Sequence, residues 1–461
     1  MGRPAILSSV LVALLASSIA AAVPAAAAND PAPTTTAFAP GEPGRDFVPG
    51  ELIVGAKGGG ERLLELPAGV SVASAAAALA GNSRVSYAVP NYIAHAAATN
   101  GTNLIPNDPG IGSTHGAWQA SQWNFLPCGS LCAPGTAPKP FESRGGIDVT
   151  GAWATLRARD RTGAAGVKIA ILDTGVAYKT VRPKYAKSPD FNRRQFAPGY
   201  DFVDNDPLAV DEDGHGTHVA GTIAEQTGNG KWFTGLAYGA KLLPVRVLDA
   251  AGEGKANDIA KGILFAVKRG ARVINMSFEF GGAVGSCRDV TSICRAVRYA
   301  NRHGATVVAA AGNDASSLVA FPARIPGVIG VGATTEGGCV ANYSDVGTGV
   351  DIVAPGGKGE GGTLCRTADR PIYQLTMIGS GLTSFGVPTD YAGTSMSAAH
   401  VAGVAAMVIA SGVLGPHPAP SRIQCQLAAT ARHDQLGEPY SAFRFGGGLI
   451  DAANAVRAAA C

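Results

Sequence analysis

The sequence predicts an α/β fold: a parallel sheet with helices on both faces, preceded by a small α+β unit. Three observations lead there. From residue 167 onward, short apolar runs alternate with longer amphipathic stretches of helical period. The short runs are apolar throughout, not at every second residue, which is the pattern of strands buried on both faces. Ahead of them lies a cysteine-free region in which strand, helix and strand patterns follow one another.

Taken in order, residues 1–28 read Arg3, an apolar run over 6–23 and an exit of small residues, the pattern of an export signal. The expected location is therefore outside the cytoplasm, extracellular or periplasmic. A membrane anchor fits less well, because alanine and serine dilute the run. Residues 29–100 hold a linker and the α+β unit. The Pro/Ala/Thr-rich stretch 29–44 cannot bury much surface. After it come a strand over 47–57, a helix over 70–81 closed by Gly81, and a strand over 84–96. Residues 101–461 form the large domain. Its strands are expected at 167–175, 240–249, 271–278, 305–313, 328–334 and 350–356, with one helix at 257–270 and another over "TSMSAAHVAGVAAMVIA", 394–410.

The chain has 461 residues, 15% of them charged, and a net charge of +3. That balance does not suit a nucleic-acid binder. Eight cysteines occur, at 128, 132, 287, 294, 339, 365, 425 and 461, and an even number in an exported chain favours disulfides. No pair of CxxC motifs suggests metal ligation. Connectivity is open from sequence; neighbours, 128 with 132, 287 with 294, 339 with 365 and 425 with 461, are the simplest assignment.

In a doubly covered parallel sheet the site lies at the carboxyl ends of the strands. Asp173 stands at such an end in "ILDTG", and Asn313 in "AAAGN". His215 sits where loop becomes helix in "DEDGHGTHVAGT", and Ser395 begins the helix that follows "YAG". A serine hydroxyl is a poor attacker at neutral pH and needs a base within reach and a group that orients the base. Asp173, His215, Ser395 and Asn313 supply a carboxylate, a base, a nucleophile and a polar donor. Each alone has an ordinary alternative, as turn cap, loop histidine, helix cap or turn residue. A lipase-like site would want Gly-x-Ser-x-Gly followed by acid and then histidine, whereas "GTSMS" lacks the last glycine and the order is Asp, His, Ser. A zinc site on His215 and His218 lacks the glutamate of His-Glu-x-x-His. A binding protein without catalysis on the same fold would not need all four positions filled.

In this order and on this background, "ILDTG", "GHGTHVAG", "AAAGN" and "GTSMSAAHVAG" resemble the subtilisin family of serine endopeptidases, from about Ile105 to "GGGLIDAANAV", which ends at 456. Residues within 29–100, with "PGELIV" and "VPNY", resemble the family's inhibitory propeptide. The resemblance implies a subtilisin-like fold and polypeptide substrates. It implies that Ser395 attacks the peptide carbonyl, His215 takes and returns the proton, and Asp173 holds the imidazole. The Asn313 amide and the Ser395 N–H would bind the oxyanion. Ser397, two residues further into the helix than the nucleophile, then reads as packing. Ser277, Ala310 and Gly312 would line the first specificity pocket. The chain would be a monomer whose propeptide inhibits it until self-processing, with the mature chain beginning between Ala96 and Asn107.

Departures from the family pattern are Ser397 and Ala399, where alanine and proline are usual, and "FEFGG" over 278–282, where Leu-Gly-Gly is usual. The second leaves the pocket's preference open between an apolar or aromatic side chain and, given Glu279 and Asp314 near the rim, a basic one. Pro322 in "FPA" matches a cis-proline position. Two structural calcium sites are also implied. One is the loop "GYDFVDNDP" with Asp201, Asp204 and Asp206; the other is Asp108, Asp190 and Asn229, with carbonyls near Gln226, Lys231 and Phe233.

Overall fold

The computed structural model describes residues 47–58, 61–92, 106–132, 140–280, 284–359, 370–379 and 381–461. The export signal, the linker, the expected start of the mature chain up to residue 105, and Cys365 lie outside them. The chain divides into two compact units, Met1–Gly101 and Thr102–Cys461.

In the first unit, β1 (Phe47–Ala56) pairs antiparallel with β2 (Glu61–Glu65) and with β3 (Val85–Tyr92). Helix α1 (Val72–Ala80) starts at Ser71, whose hydroxyl accepts from Ser74 N–H, and ends at Gly81. Its buried residues Val72, Ala75, Ala76 and Leu79 recur at helical spacing and meet Leu52 and Val54, alternate residues of β1. The unit therefore has a core of its own. Strand β2 has no clear sequence signal, because "ERLLE" is short and charged at both ends.

The second unit is built on seven strands: β4 (Lys168–Asp173), β5 (Tyr200–Asp201), β6 (Lys241–Arg246), β7 (Val273–Met276), β8 (Thr306–Ala310), β9 (Val328–Thr334) and β10 (Ile352–Pro355). Their order across the sheet is β10-β9-β8-β7-β4-β6-β5, and every pairing is parallel. Parallel neighbours need crossovers, and the helices supply them. These are α2 (Val149–Arg157), α3 (His215–Ala224), α4 (Ala256–Lys268), α5 (Thr291–Arg302) and α6 (Thr394–Ser411). Helix α6 packs on α3 and on β7 to β10; α4 and α5 pack on each other, with α4 also against β4 and β6 and α5 against β8. By length and composition α6 could cross a membrane, but 89% of it is buried beneath the sheet and its neighbouring helices, which explains an apolar surface all round.

Register positions the site. Leu172 lies opposite Met276, and Met276 opposite Ala309, so β4, β7 and β8 end together and Asp173, Ser277 and Ala310 share one edge. The expected strand over 271–278 stops at Met276, and the chain then leaves the sheet with Phe280 bridging to Phe321. The sequence alone did not mark α2, β5 or α5. Disulfides join Cys128 to Cys132, Cys287 to Cys294 and Cys425 to Cys461. Cys339 is also disulfide-bonded, and its expected partner lies outside the described residues. The Phe321–Pro322 bond is cis, as is Arg182–Pro183.

Candidate active site

Asp173 is the last residue of β4 and is fully buried. Its Oδ1 accepts from His215 Nδ1 at 2.7 Å and from Thr174 N–H at 2.8 Å. His215 opens α3, and the turn before it needs Gly214 at φ +116. Gly216 lies so close to the turn after β4 that a Cβ there would stand 2.1 Å from the Gly175 carbonyl. This close approach explains the two glycines that flank His215.

The loop ahead of α3 is pinned by Asp211, a fully buried carboxylate that sequence reasoning passed over. It accepts from the hydroxyls of Thr174 at 2.8 Å and Thr217 at 2.6 Å, and from the N–H groups of Asp213, Gly214 and Thr217. Asp213 in turn accepts from His215 N–H at 2.9 Å. The acidic run "DEDG" was the signal that could have found both. Burial disfavours the imidazolium of His215, but the Asp173 carboxylate beside it, helped by Asp213 and Asp211, outweighs burial and raises its pKa to about 9.

Ser395 is the second residue of α6, after Gly393 at φ +155. Its hydroxyl donates to the Ser277 carbonyl at 3.0 Å, while Ser277 Oγ donates to the Ser395 carbonyl at 2.8 Å. These reciprocal bonds tie the start of α6 to the end of β7. Asn313 follows β8 by two residues, across Ala311 and Gly312. Its Oδ1 accepts from Thr394 N–H at 2.8 Å and from the Thr394 hydroxyl at 3.1 Å, which turns Nδ2 the other way. Thr394 is a positioning residue not anticipated from sequence. His215, Asn313 and Ser395 line one cleft, so the structure brings together all four residues expected there.

Ser277 and Ala310 line the same cleft with Phe278, Glu279, Leu248 and Gly252. Gly312, at φ +122, forms the neighbouring turn. The rival polar groups are used elsewhere. Ser397 donates to the Ala354 carbonyl at 2.9 Å. His218 bonds the Ile372 carbonyl through Nε2 at 2.9 Å and stacks on Tyr391, and burial lowers its pKa to about 3. His400 is held between the Met396 carbonyl and the Asn124 amide, each at 2.7 Å. Both histidines are fully buried, and neither lines the cleft with Ser395.

The two acidic groups proposed for calcium part company. Asp201 and Asp204 both accept from Arg246 Nη1 at 2.7 Å, and Glu212 accepts from Nη2 at 2.9 Å. Arg246 is only 3% exposed, so the cation this loop requires is a guanidinium of the chain itself. Asp206 instead accepts from Leu208 N–H at 2.6 Å. The 201–206 loop does not fit calcium. Its register explains why: Arg246 ends β6, beside Asp201 at the end of β5.

The other group is brought together. Asn229 Nδ2 donates to Asp190 at 2.6 Å, and the N–H groups of Gly228, Asn229 and Gly230 donate to Asp108 at 2.8 to 3.1 Å. Burial raises the carboxyls of Asp108 and Asp190 above their usual range despite these bonds. Behind them Glu225 is fully buried, and burial, with Asp190 and Asp108 nearby, outweighs the Leu375 backbone N–H and holds its pKa well up. This buried excess of acid is a feature that a divalent cation fits. Among the described residues no three His, Cys, Asp or Glu side chains converge as a metal cluster, so an ion here would draw on Asn229 and backbone carbonyls as well.

Fold and site together define a hydrolase with a serine, a histidine and a buried carboxylate at the carboxyl edge of a parallel sheet. The chain belongs to the subtilase family, which it matches over residues 164–448, and is a serine endopeptidase. It is 34% identical over 379 residues to a thermophilic serine proteinase of Bacillus sp. (strain AK1), a match covering 82% of this chain and 74% of that one. With subtilisin Savinase of Lederbergia lenta it shares 36% identity, over 65% of this chain and 93% of that one. A solved structure of a protease from Pseudoalteromonas arctica aligns with a TM-score of 0.59 at 31% identity, covering 77% of this chain and 100% of that one.

Proposed function

We propose that the chain hydrolyses peptide bonds through an acyl-enzyme on Ser395, with His215 as general base and Asp173 as its orienting carboxylate. The observation that carries this is the 2.7 Å contact between His215 Nδ1 and Asp173 in a cleft that Ser395 also lines. Tying Nδ1 to a carboxylate keeps a proton there and leaves Nε2 as the basic atom. The Ser395 hydroxyl, now donating to the Ser277 carbonyl, swings its proton to Nε2 as it attacks. The Oγ–C bond forms, the carbonyl oxygen becomes an anion bound by Ser395 N–H and Asn313 Nδ2, and the imidazolium then protonates the leaving amine. Water repeats the sequence and frees Ser395.

The wider reading is of an exported, self-processing precursor. The export signal over 1–28 and the disulfides support passage to an oxidising compartment. Residues 29–100, a linker and the small α+β part of the first unit with its own core, suit an inhibitory propeptide cleaved between Ala96 and Asn107. The enzyme acts as a monomer on polypeptides, with no nucleic-acid partner or membrane anchor. Calcium, held by Asp108, Asp190 and Asn229, would be structural only. Purified Ser395→Ala precursor should stay uncleaved and hydrolyse no peptide; normal maturation of that variant in a protease-free preparation contradicts the proposal.

A further inference from the structure

Glu279 occupies a place that the mechanism does not explain. Beyond Ser277 the chain turns out of the sheet, Phe278 is buried, and Phe280 N–H bonds the Phe321 carbonyl at 2.7 Å. Between these two anchors Glu279 is held against the cleft, where its carboxylate meets the oxyanion donor. Glu279 accepts from Asn313 Nδ2 at 3.3 Å and from Asn313 N–H at 3.2 Å.

A second carboxyl stands behind it. A Cβ built on Gly312 would lie 2.6 Å from Glu279 Oε2 and 2.1 Å from Asp345 Oδ2. The two oxygens therefore approach within roughly 5 Å across Gly312, a separation at which like charges oppose each other strongly. Asp345 is 2% exposed, and its other oxygen is taken by the N–H groups of Asp314 at 3.2 Å and Ser316 at 2.8 Å. Burial, with Asp314 and Asp345 nearby, pushes the Glu279 carboxyl above its usual range. Glu279 in the pocket wall and Asp345 behind it are thus two crowded acids whose ionised forms a positive occupant would stabilise.

The chemistry of turnover sharpens this. When a peptide carbonyl takes the Asn313 amide, Glu279 is driven off it: Nδ2 has two N–H bonds to give, but a carboxylate and a developing oxyanion on one nitrogen repel each other. A neutral substrate side chain offers the displaced carboxylate no new partner. An ammonium or guanidinium in the pocket does.

Resting on the reading of Ser395 and Asn313 above, we propose that Glu279, backed by Asp345, makes the first specificity pocket select lysine or arginine, whose charge draws the Glu279 carboxylate off Asn313 and frees that amide for the oxyanion. Glu279 is then a specificity-determining residue that couples recognition to assembly of the oxyanion hole.

The test is kcat/KM for peptides differing only in the residue before the scissile bond, Lys, Arg, Leu or Phe, with the wild-type mature enzyme and Glu279→Gln. Wild type should favour Lys and Arg by about tenfold or more, and the variant should lose that ratio. Best cleavage after Leu or Phe, or an equal fall for every peptide in the variant, overturns the proposal. Should Glu279→Gln fail to fold, wild-type inhibition decides: benzamidine should bind about tenfold tighter than neutral benzamide, and equal inhibition overturns the proposal. Labelling of Ser395 by a serine-directed phosphonate separates the two claims. An enzyme that is labelled and cleaves peptides without regard to charge refutes the role of Glu279 alone, whereas one that is neither labelled nor active refutes the underlying mechanism.

Discussion

His215 Nδ1 stands 2.7 Å from the buried carboxylate of Asp173, and that contact sets how the enzyme responds to pH. The base must be neutral to accept a proton, so kcat/KM should rise with pH through a midpoint displaced above the ordinary 6.5 toward about 9. Stability runs the other way. A histidine whose folded pKa is raised stabilises the fold fully below its unfolded pKa and loses that contribution as pH rises from about 6.5 through about 9. Rate profiles and melting temperatures over this window should therefore slope oppositely, and His215→Ala should remove its part of the stability slope. A rate profile that breaks at or below 6.5 contradicts the pairing.

Asn313→Ala should lower kcat by about 10² to 10³ with little change in KM, since the amide meets charge that exists only in the transition state. Thr394→Val, which removes one of the two bonds holding the Asn313 oxygen, should lower kcat by less. Michaelis kinetics on one peptide substrate check both, and a loss confined to KM would contradict the assignment.

The proposed catalytic residues were legible because parallel strands place their chemistry at one edge: Asp173 and Asn313 each follow an apolar run, His215 opens a helix directly after Gly214, and Ser395 is the second residue of a helix that follows Gly393. What was not legible depends on contacts between segments far apart in sequence. Asp211 acts through Thr174 and Thr217, Thr394 through Asn313, and the bond from Asn313 to Glu279, a residue already expected at the pocket rim, depends on a turn anchored on Phe321. The guanidinium that meets the 201–206 loop was hidden for the same reason. Three aspartates in one loop look like a cation site until β6 brings Arg246, from well downstream in the chain, into their midst.

Arg246→Met should destabilise the second unit by about 3 kcal/mol, because it strips the shared partner from Asp201, Asp204 and Glu212. Equilibrium denaturation measures the loss. Calcium should recover part of it in the variant, where the carboxylates are left without their guanidinium; a variant as stable as wild type would show that the pairing contributes nothing.

Chelation should lower the wild-type melting temperature through the site at Asp108, Asp190 and Asn229, since ligand binding to the folded state at a hundredfold excess over Kd contributes about 2.7 kcal/mol. Asp190→Ala should abolish the sensitivity, and Asp204→Ala should retain it. Activity measured at once after chelation should persist and then decay. An immediate, fully reversible loss would make the ion catalytic.

The most direct test of the account is peptide mass mapping of the mature enzyme after reaction with a serine-directed phosphonate. One adduct should form, on Ser395, absent from Ser397 and lost in His215→Ala. An adduct on Ser397, whose hydroxyl is committed to the Ala354 carbonyl, or undiminished labelling without His215, would contradict the assignment of nucleophile and base.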